Sequence, residues 1–421
     1  MNVREAAVAI LERVDEGAYL NITLNHFLNE NPLSRVDADL LTRLVYSVKS
    51  HQNTLNYHIA PYIEGKRVRP FEKRVLLVAC CQSLYFDKIP DYAIIDESVE
   101  MVKKKRGPKA AGFINAVLRQ IVKNKEINLN IENELEKLSI MYSHPLWLVK
   151  MLDKQYGRDI LIKILEENQS VPLLSARVNT LKTSKQEILN NYPNIKEGKF
   201  ASNSIYFESG NIANTKLYKE GLVTVQDEAS QWVVEQLPLK EGMKVLDMCS
   251  APGSKTTHLA AKLNNTGEIH AYDLYEHKIQ LIESNANRLG CTNIQAKAYD
   301  STKLLEIEQQ ESFDAILLDG PCSGLGVLAR KPEIRYHDAN IMDELIQIQY
   351  ELLKTAYQLL KKGGVMVYST CTLNKKENRK NIDRFLALHP DMHLQEDRTI
   401  LPYEYHSDGF YMARLVKDDE N

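Results

Sequence analysis

The chain has 421 residues, 44% hydrophobic and 26% charged, which is the composition of a folded protein with roughly two to four domains. Its six cysteines form no CxxC pair, so neither a disulfide framework nor a metal site is predicted. The N-terminus reads as an amphipathic helix, and the longest apolar run, residues 75–81, is far too short to cross a bilayer. We therefore predict a cytoplasmic protein without membrane contact.

The net charge of −3 argues mildly against a nucleic-acid partner, but the basic residues are unevenly distributed. Two dense runs occur in the first quarter of the chain. They consist of Lys66, Arg67, Arg69, Lys73 and Arg74, and of Lys103, Lys104, Lys105, Arg106 and Lys109. Each run is either a solvated face or a patch that contacts RNA.

The first segment, residues 1–127, has apolar residues at helical spacing and almost no strand-like alternation. Helices are predicted over 6–14, 40–48, 75–84 and 111–121, with Asn-Pro, Ile-Pro and Gly-Pro pairs marking turns between them. This pattern predicts a compact all-α domain.

The second segment, residues 128–225, changes character. Helices are predicted over 131–141 and 146–156, and short strands over 174–181 and 204–207. A small α+β domain that links its neighbours or binds RNA fits this pattern.

The third segment, residues 226–421, alternates regularly between strands and helices. Strands are predicted over 244–248, 268–272, 293–298, 314–318 and 365–368, and helices over 255–262, 275–289 and 343–360. Such alternation indicates parallel strands joined by crossover helices, and hence a doubly wound, Rossmann-like α/β domain. Residues 409–416 are expected to add the last edge strand.

Acidic residues stand at the ends of the first three strands of this segment, where such sheets bind ligands. Asp247 opens a short turn into a helix, whose N–H groups and positive end suit a polar ligand group. Asp273 and Asp300 can accept hydrogen bonds from ribose hydroxyls or an adenine amine. A single such residue often only caps a helix or turn, but all three together favour a nucleoside-bearing cofactor.

Two cysteines follow the fourth and fifth strands. Since these strands are expected to be neighbours, Cys322 and Cys371, which are 49 positions apart, are predicted to meet in one crevice beside the cofactor. A thiolate that adds to C6 of cytosine makes C5 nucleophilic, and Asp319 is placed to stabilise the electron-rich ring. The second thiol serves as a base or assists release. The spacing does not decide which thiol attacks, and a small buried residue is the ordinary alternative for each.

Three sequence blocks carry a resemblance to a known family. They are DMCSAPGSKT at 247–256, DGPCSG at 319–324 and STCT at 369–372, supported by QDEASQ at 226–231, RVN at 177–179, SHPLW at 143–147 and EN at 377–378. The chain resembles the bacterial Sun branch of the NOL1/NOP2/Sun RNA cytosine-C5 methyltransferases. Its N-terminal part, including GFINAVLR at 112–119, resembles the NusB RNA-binding domain. The resemblance spans nearly the whole chain and implies a class I methyltransferase fold behind an all-α NusB-like domain.

The resemblance implies S-adenosylmethionine as the cofactor and assigns its contacts. The methionine and sulfonium part would lie against Cys249, Ser250, Ala251, Pro252, Gly253, Ser254 and Lys255. Asp273 would bind the ribose, Asp300 the adenine, and Asp319 would lie between the cofactor's amino-acid end and the target base. Cys371 matches the family nucleophile, and Cys322 matches the residue needed for product release.

Two positions depart from the family pattern. Ser254 replaces a glycine that many members have, so the loop is expected to approach the cofactor less closely. Lys278 stands where arginine is frequent after the ribose-binding aspartate.

The implied substrate is a cytosine in a loop of 16S rRNA, in the free or partly assembled small subunit, splayed out to reach the thiol. Arg330, Lys331, Arg335 and Tyr336 are expected to form a basic and aromatic wall beside this base. The same chemistry on tRNA and a non-catalytic RNA-binding or assembly protein remain the alternatives. The sequence does not identify a protein partner, and a monomer is expected.

Overall fold

The structure, a computed structural model, describes residues 2–419, which fall into two compact units. The first unit comprises residues 2–170 together with Leu328–His337, and the second comprises Val171–Val327 and residues 338–419. No helix within residues 2–419 is both long enough and apolar enough to cross a membrane. The domain boundaries predicted after residues 127 and 225 stay predictions.

The first unit is built from helices. They are α1 (Val3–Asp15), α2 (Leu20–Glu30), α3 (Arg35–Ser50), α4 (Gln52–Ile63), α5 (Pro70–Tyr85), α6 (Asp91–Arg106), α7 (Pro108–Lys123), α8 (Glu134–Met141), α9 (Leu146–Tyr156) and α10 (Arg158–Glu167). The predicted helices over 6–14, 40–48, 75–84 and 111–121 lie inside α1, α3, α5 and α7. Asn2 begins α1 with a capping box, in which its side chain accepts from Glu5 N and the Glu5 carboxylate accepts from Asn2 N.

Helix α5 lies at the centre of this unit. Its residues from Val75 to Ser83 are all buried, and α1, α3, α4, α6 and α7 pack around it. A helix that is apolar on every side is stable only inside a core. Cys80 and Cys81 belong to this core, and burial raises the pKa of the Cys80 thiol to about 12, so these cysteines are packing residues.

Leu328–His337 contributes two buried charges to the helical unit. The Arg335 guanidinium is fully buried and donates to the carbonyls of Ser50 (2.9 Å), Ser143 (3.3 Å) and Asn168 (2.5 Å), at or just beyond the C-terminal ends of α3, α8 and α10. Helix ends leave such carbonyls unpaired and favour a cation. Glu333 accepts from the N–H of Leu20, the first residue of α2.

The expected wall beside the RNA base is therefore wrong for Arg335, whose donors are occupied inside the helical unit. Tyr336 is also engaged there, because its hydroxyl donates to the carbonyl oxygens of Lys49 and Ser143, each at 3.2 Å. Sequence reasoning placed both residues beside the base because they come shortly after the block that contains Cys322.

The second unit begins with a small antiparallel sheet. It consists of β1 (Leu174–Val178), β2 (Ile195–Glu197), β3 (Ser204–Phe207) and β4 (Val223–Val225), with the helices α11 (Lys185–Asn191) and α12 (Lys216–Lys219). The strand order is β2-β3-β1-β4. The strand predicted over 204–207 coincides with β3, and the one predicted over 174–181 is shorter because a turn begins after Val178.

The second unit continues with a seven-stranded sheet and its helices. These are α13 (Glu228–Glu235), β5 (Lys244–Asp247), α14 (Ser254–Lys262), β6 (Glu268–Asp273), α15 (Glu276–Leu289), β7 (Ile294–Ala298), β8 (Phe313–Asp319), α16 (Ile341–Leu359), β9 (Leu360–Thr370), α17 (Arg379–Leu386), β10 (Met392–Ile400), α18 (Pro402–Tyr405) and β11 (Phe410–Lys417). The order is β10-β11-β9-β8-β5-β6-β7, and β9-β8-β5-β6-β7 is parallel.

Alternate residues of the strands face opposite apolar layers. Leu246, Ile316 and Met366 lie in the core with α16 and α17, whereas Leu317 and Val367 lie in the core with α13 and α14. The predicted strands and helices of this domain are all present. One expectation is wrong: the segment predicted as the edge strand, β11, lies between β9 and β10. The true edge, β10, is rich in polar residues (MHLQEDRTI) and was missed for that reason.

Candidate active site

A cleft of about 370 Å³ opens in the second unit at the carboxyl ends of the parallel strands. Its polar wall includes Asp273, Asp300 and Asp319, which lie at the ends of β6, β7 and β8. Its apolar wall includes Leu274, Pro321, Ile348 and Leu352, and its remaining lining residues are Met248, Cys249, Ala251, Tyr275, Lys278, Tyr299, Ser301 and Thr302. Apolar faces with a few convergent carboxylates fit a flat base and a ribose better than a phosphate.

The loop between β5 and α14 shapes one end of this cleft. Cys249 and Ala251 line it, while Ser250 turns inward and donates from its N and its Oγ to the Tyr272 carbonyl, both at 2.9 Å. Gly253 begins α14 with φ of 97°, and a Cβ there would lie 3.0 Å from the Ile282 Cα. Only glycine suits that position. Ser254, the residue that departs from the family pattern, is the first residue of α14.

Asp273 joins this loop to the next strand. Its Oδ2 accepts from Ala251 N at 3.1 Å, and its Oδ1 accepts from Leu274 N at 2.9 Å. Lys278, the second departure from the family pattern, places its Nζ 3.1 Å from the same Oδ1. The carboxylate is thus held in one orientation at the cleft wall.

Asp300 both lines the cleft and caps a short helix. Its Oδ1 accepts from the N and the Oγ of Thr302, at 3.0 and 2.7 Å. The Oδ2 of Asp300 takes no part in the cap and lies 4.0 Å from Lys303 Nζ. Asp300 can therefore cap the helix with one oxygen and bind a cofactor with the other.

The two cysteines that follow β8 and β9 meet. The Sγ of Cys322 lies 3.3 Å from the Sγ of Cys371, within hydrogen-bond distance for sulfur. Their strands pair in parallel, with Asp319 opposite Ser369. The hydrogen bond with Cys371, together with burial, raises the pKa of Cys322 well above its ordinary value, and negative charge on Cys371 and Glu377 adds to the effect.

Asp319 connects this thiol pair with the cleft. Its Oδ2 lies 2.7 Å from Lys255 Nζ, and its Oδ1 accepts from Ser369 Oγ at 2.7 Å. Burial alone would lower the pKa of Lys255, but the Asp319 carboxylate outweighs it, and the pKa lies above its usual value. Lys255 therefore stays charged and neutralises Asp319 beside the cysteines.

Arg177 is a site residue that sequence reasoning quoted without giving it a role. It belongs to β1 of the small sheet, is 1% exposed, and donates to Ser254 O (2.6 Å), Gln226 Oε1 (2.5 Å) and Thr257 Oγ1 (3.1 Å). Burial lowers its pKa to about 9, which still leaves it charged at neutral pH. The small sheet thereby holds the first turn of α14, directly after the loop between β5 and α14, which is called the cofactor loop below.

Asp247, the first of the three strand-end carboxylates expected at the cofactor, does not line the cleft, so that expectation is wrong for this residue. It is buried, its Oδ2 accepts from Thr256 Oγ1 at 2.7 Å, and its Oδ1 has no described hydrogen-bond partner. Burial raises its pKa to about 7.

The two basic runs of the first unit converge. Lys105 Nζ lies 4.4 Å from the centre of the Phe71 ring, and Arg106 Nε lies 3.5 Å from Glu72 Oε1. These contacts bring the end of α6 against the start of α5. The exposed members, called the basic patch below, are Lys66, Arg67, Arg69, Lys103, Lys104, Lys105 and Lys109.

Arg74 does not belong to this patch. It is buried, and its guanidinium pairs with Glu12 at 2.5 Å and with Asp15 at 3.8 Å. Arg74 therefore fits neither alternative, because it belongs neither to a solvated face nor to a surface that could contact RNA.

Three family models match consecutive parts of the chain. A model of the NusB family matches residues 1–123, one of the ferredoxin-like domain of RsmF/B-like methyltransferases matches 144–194, and one described as 16S rRNA methyltransferase RsmB/F matches 234–416. These matches confirm the predicted fold classes: a helical NusB-like domain, a small α+β domain and a class I methyltransferase domain.

Full-length relatives agree with this division. The chain is 35% identical over 441 residues to the probable ribosomal RNA small subunit methyltransferase B of Bacillus subtilis, covering 99% of each chain. It is 32% identical over 433 residues to ribosomal RNA small subunit methyltransferase B of Yersinia enterocolitica, covering 98% of this chain and 97% of the relative. The crystal structure of PH0851 superposes with a TM-score of 0.85 at 26% identity, covering 98% and 99%.

The fold and the cleft define a methyltransferase that uses S-adenosylmethionine as its cofactor and rRNA as its substrate. More specifically, the chain belongs to the family of ribosomal RNA small subunit methyltransferases B, which carry a NusB domain ahead of the methyltransferase domain.

Proposed function

We propose that this protein methylates C5 of one cytosine in 16S rRNA through a covalent bond between Cys371 and C6 of the base. The observation that carries the proposal is the 3.3 Å contact between the Cys322 and Cys371 thiols next to a cleft suited to a nucleoside. One thiol is enough to attack C6 of the base. The second thiol is available as the base that removes the C5 proton when the product is released.

In the attack step, the Cys371 thiolate bonds to C6 and the π-electron pair of the C5–C6 double bond moves onto C5, which becomes nucleophilic. Asp319 faces N3 and N4 in this proposal and stabilises the electron-rich ring, with Lys255 Nζ at 2.7 Å holding its carboxylate in place. S-adenosylmethionine supplies an electrophilic methyl group, which C5 accepts.

In the release step, the proton on C5 leaves to a base and the bond between Cys371 and C6 breaks, restoring the aromatic ring. We assign the base to Cys322. Its pKa is raised by the hydrogen bond with Cys371, by burial and by negative charge on Cys371, and this negative charge is lost once the Cys371 sulfur is bonded to carbon. Cys322 thus becomes easier to deprotonate at the step that needs a base.

The proposed cofactor contacts follow from the cleft. Asp273 accepts from the ribose hydroxyls and Asp300 from the adenine amine, against the apolar side chains of Leu274 and Leu352. The loop from Cys249 to Lys255 encloses the methionine end. Asp319 lines the same cleft, and we assign it the position between this end and the base.

We assign the phosphate contacts to the basic patch. The seven residues of the patch come from two runs about thirty positions apart in the sequence and are all exposed, as expected for a surface that follows a phosphate backbone. Because rRNA is the substrate, we also propose the cytoplasm as the site of action, with the protein working as a monomer on free or partly assembled small-subunit RNA.

The test is to map 5-methylcytosine by bisulfite sequencing of rRNA and tRNA from cells with and without the gene, and to repeat the methylation with purified protein. A cytosine of 16S rRNA that loses its mark and regains it in vitro supports the proposal. Loss of a tRNA mark instead assigns the same chemistry to tRNA. No label transfer from S-adenosylmethionine to any small-subunit RNA, free or assembled, would leave a non-catalytic RNA-binding protein.

A further inference from the structure

Glu377 is a carboxylate without solvent exposure in the turn that follows Cys371. Its Oε2 accepts from Ser323 N at 2.9 Å and from Gln349 Nε2 at 3.1 Å, and its Oε1 accepts from Ser323 Oγ at 2.5 Å and from Asn374 Nδ2 at 3.1 Å. All of these donors are neutral. A carboxylate is costly to bury, and it persists only where several hydrogen bonds satisfy it.

These hydrogen bonds connect the two cysteine loops. Ser323 directly follows Cys322, whereas Asn374 comes three positions after Cys371. A second bridge joins the residues next to the two thiols, because Ser323 Oγ lies 2.7 Å from Thr372 Oγ1. Glu377 is therefore the acceptor on which both loops converge.

The position of Glu377 is itself held from the strand below. The Tyr368 hydroxyl of β9 donates to the Glu377 carbonyl at 2.7 Å. The neighbouring Asn378 accepts from Thr370 Oγ1 at 2.5 Å and donates to Thr372 O at 2.8 Å. The Glu-Asn pair thus folds back onto the strand end that carries Cys371.

We propose that Glu377 is a positioning residue that holds the Cys322 loop against the Cys371 strand end, keeping Cys322 in place for the release step. This inference rests on the proposed roles of the two cysteines. It assigns Glu377 no contact with RNA or cofactor, and it predicts that loss of the carboxylate impairs release more than attack, since Cys371 is also anchored by β9.

The charge of Glu377 has a second effect on the same step. It contributes to the raised pKa of Cys322, after the larger effects of Cys371 and burial. Unlike the effect of Cys371, it persists when Cys371 is bonded to C6. The Cys322 thiolate formed at that stage is consequently a stronger base than the same thiolate would be without the Glu377 charge.

The test compares Glu377→Gln and Ser323→Ala with the control Glu344→Gln, which removes one charge from an exposed residue of α16. We would measure kcat and KM for RNA, affinity for S-adenosylmethionine, melting temperature, and the covalent RNA adduct on denaturing gels. We expect Glu377→Gln to lower kcat about 100-fold and to accumulate adduct, with little change in KM or cofactor affinity. Ser323→Ala, which keeps the backbone N–H, should show a smaller effect of the same kind.

A pH profile of adduct release in single turnovers separates positioning from general stability. Glu377→Gln should move this profile to lower pH, because the pKa of Cys322 falls when the charge is removed. The inference is overturned if Glu377→Gln keeps kcat within about twofold of the wild type, or if it loses turnover and cofactor binding without adduct. If Glu377→Gln does not fold, normal release by Ser323→Ala overturns it equally. Cys322→Ala tests the underlying roles separately, since it removes the thiol while leaving Glu377 in place.

Discussion

The thiols of Cys322 and Cys371 are in contact although 49 residues of chain separate them. Parallel pairing of β8 with β9 brings the two strand ends together, and each cysteine stands a few residues beyond its strand or directly after it. The contact places two groups of the same chemical type next to Asp319 and Pro321, which line the cleft. The proposed roles of the two thiols in attack and release are tested by substitution.

The first prediction separates the two thiols. Cys371→Ala should abolish turnover and leave no covalent RNA adduct, because the group that bonds to C6 is gone. Cys322→Ala should form the adduct and release it slowly, so that a shifted protein band accumulates on denaturing gels. Cys291→Ala, which changes a cysteine outside the cleft lining, serves as the control and should behave as the wild type.

The opposite pattern would reverse the roles. If Cys371→Ala trapped RNA and Cys322→Ala released methylated product at the normal rate, Cys322 would be the attacking thiol.

The second prediction concerns Asp319. Asp319→Asn removes the charge that Lys255 balances and replaces one of the two acceptor oxygens with an amide donor, so kcat should fall roughly 100-fold or more. Asp343→Asn, at an exposed position of α16, is the matched control. Steady-state kinetics with rRNA would check this, and near-normal kcat for Asp319→Asn would remove Asp319 from the chemistry.

The third prediction concerns the hold of the small sheet on the cofactor loop. Arg177→Lys keeps the charge but cannot reproduce the three hydrogen bonds to Ser254, Gln226 and Thr257. It should cost about 2 kcal/mol of unfolding free energy, because buried acceptors lose their donor, and it should weaken binding of S-adenosylmethionine. Denaturant unfolding and calorimetric titration measure these effects, with Arg379→Lys on the surface of α17 as the control; unchanged cofactor affinity would contradict the assigned role.

The fourth prediction follows from the pKa of Asp247, raised from 3.8 to about 7 by burial. Between these values the folded protein holds a proton that the unfolded chain has lost, so stability contributed by this group falls as pH rises from 4 to 7 and is flat above. Asp247→Asn removes this pH dependence. As pH rises from 4 to 7, the free energy of unfolding of the variant should therefore increase relative to that of the wild type, by up to about 4 kcal/mol.

Melting temperatures of both proteins at intervals from pH 4 to pH 8 check this. A difference between them that is constant over the whole range would show that Asp247 titrates at its ordinary pKa.

The fifth prediction concerns the basic patch. The double variant Arg67→Gln/Lys104→Gln should weaken RNA binding and reduce the slope of log affinity against log salt by about one for each phosphate that the variant no longer neutralises. The control is Lys88→Gln/Lys123→Gln. Both residues are exposed: Lys88 comes shortly after the C-terminal end of α5, and Lys123 is the last residue of α7. Each of these helices is about 24 Å long, which separates its C-terminal end from the patch residues at its start. Equal slopes for the two double variants would place the RNA elsewhere.

The parallel core of the methyltransferase domain was predictable because its strands are continuous apolar runs and its site residues directly follow them. Asp273, Asp300, Asp319 and the two cysteines lie at strand ends as predicted. β10 was missed because a half-exposed edge strand lacks a regular apolar pattern.

Arg177, Glu377 and Arg335 were beyond sequence reasoning for a common physical reason. Each is a charged residue that is buried. Its hydrogen-bond partners are backbone groups or neutral side chains, most of them from distant parts of the chain. No local pattern distinguishes such a residue from a charge on the surface.

The helical unit is not a detachable N-terminal module, because Leu328–His337 completes it from within the second half of the chain. A chain shortened to residues 171–421 would still contain Arg335 but would lack the Ser50, Ser143 and Asn168 carbonyls that this guanidinium binds. Conversely, residues 1–170 alone would leave those helix ends without their cation. Insertion, deletion or exchange of the helical unit therefore has to treat it as a domain encoded in two separate pieces.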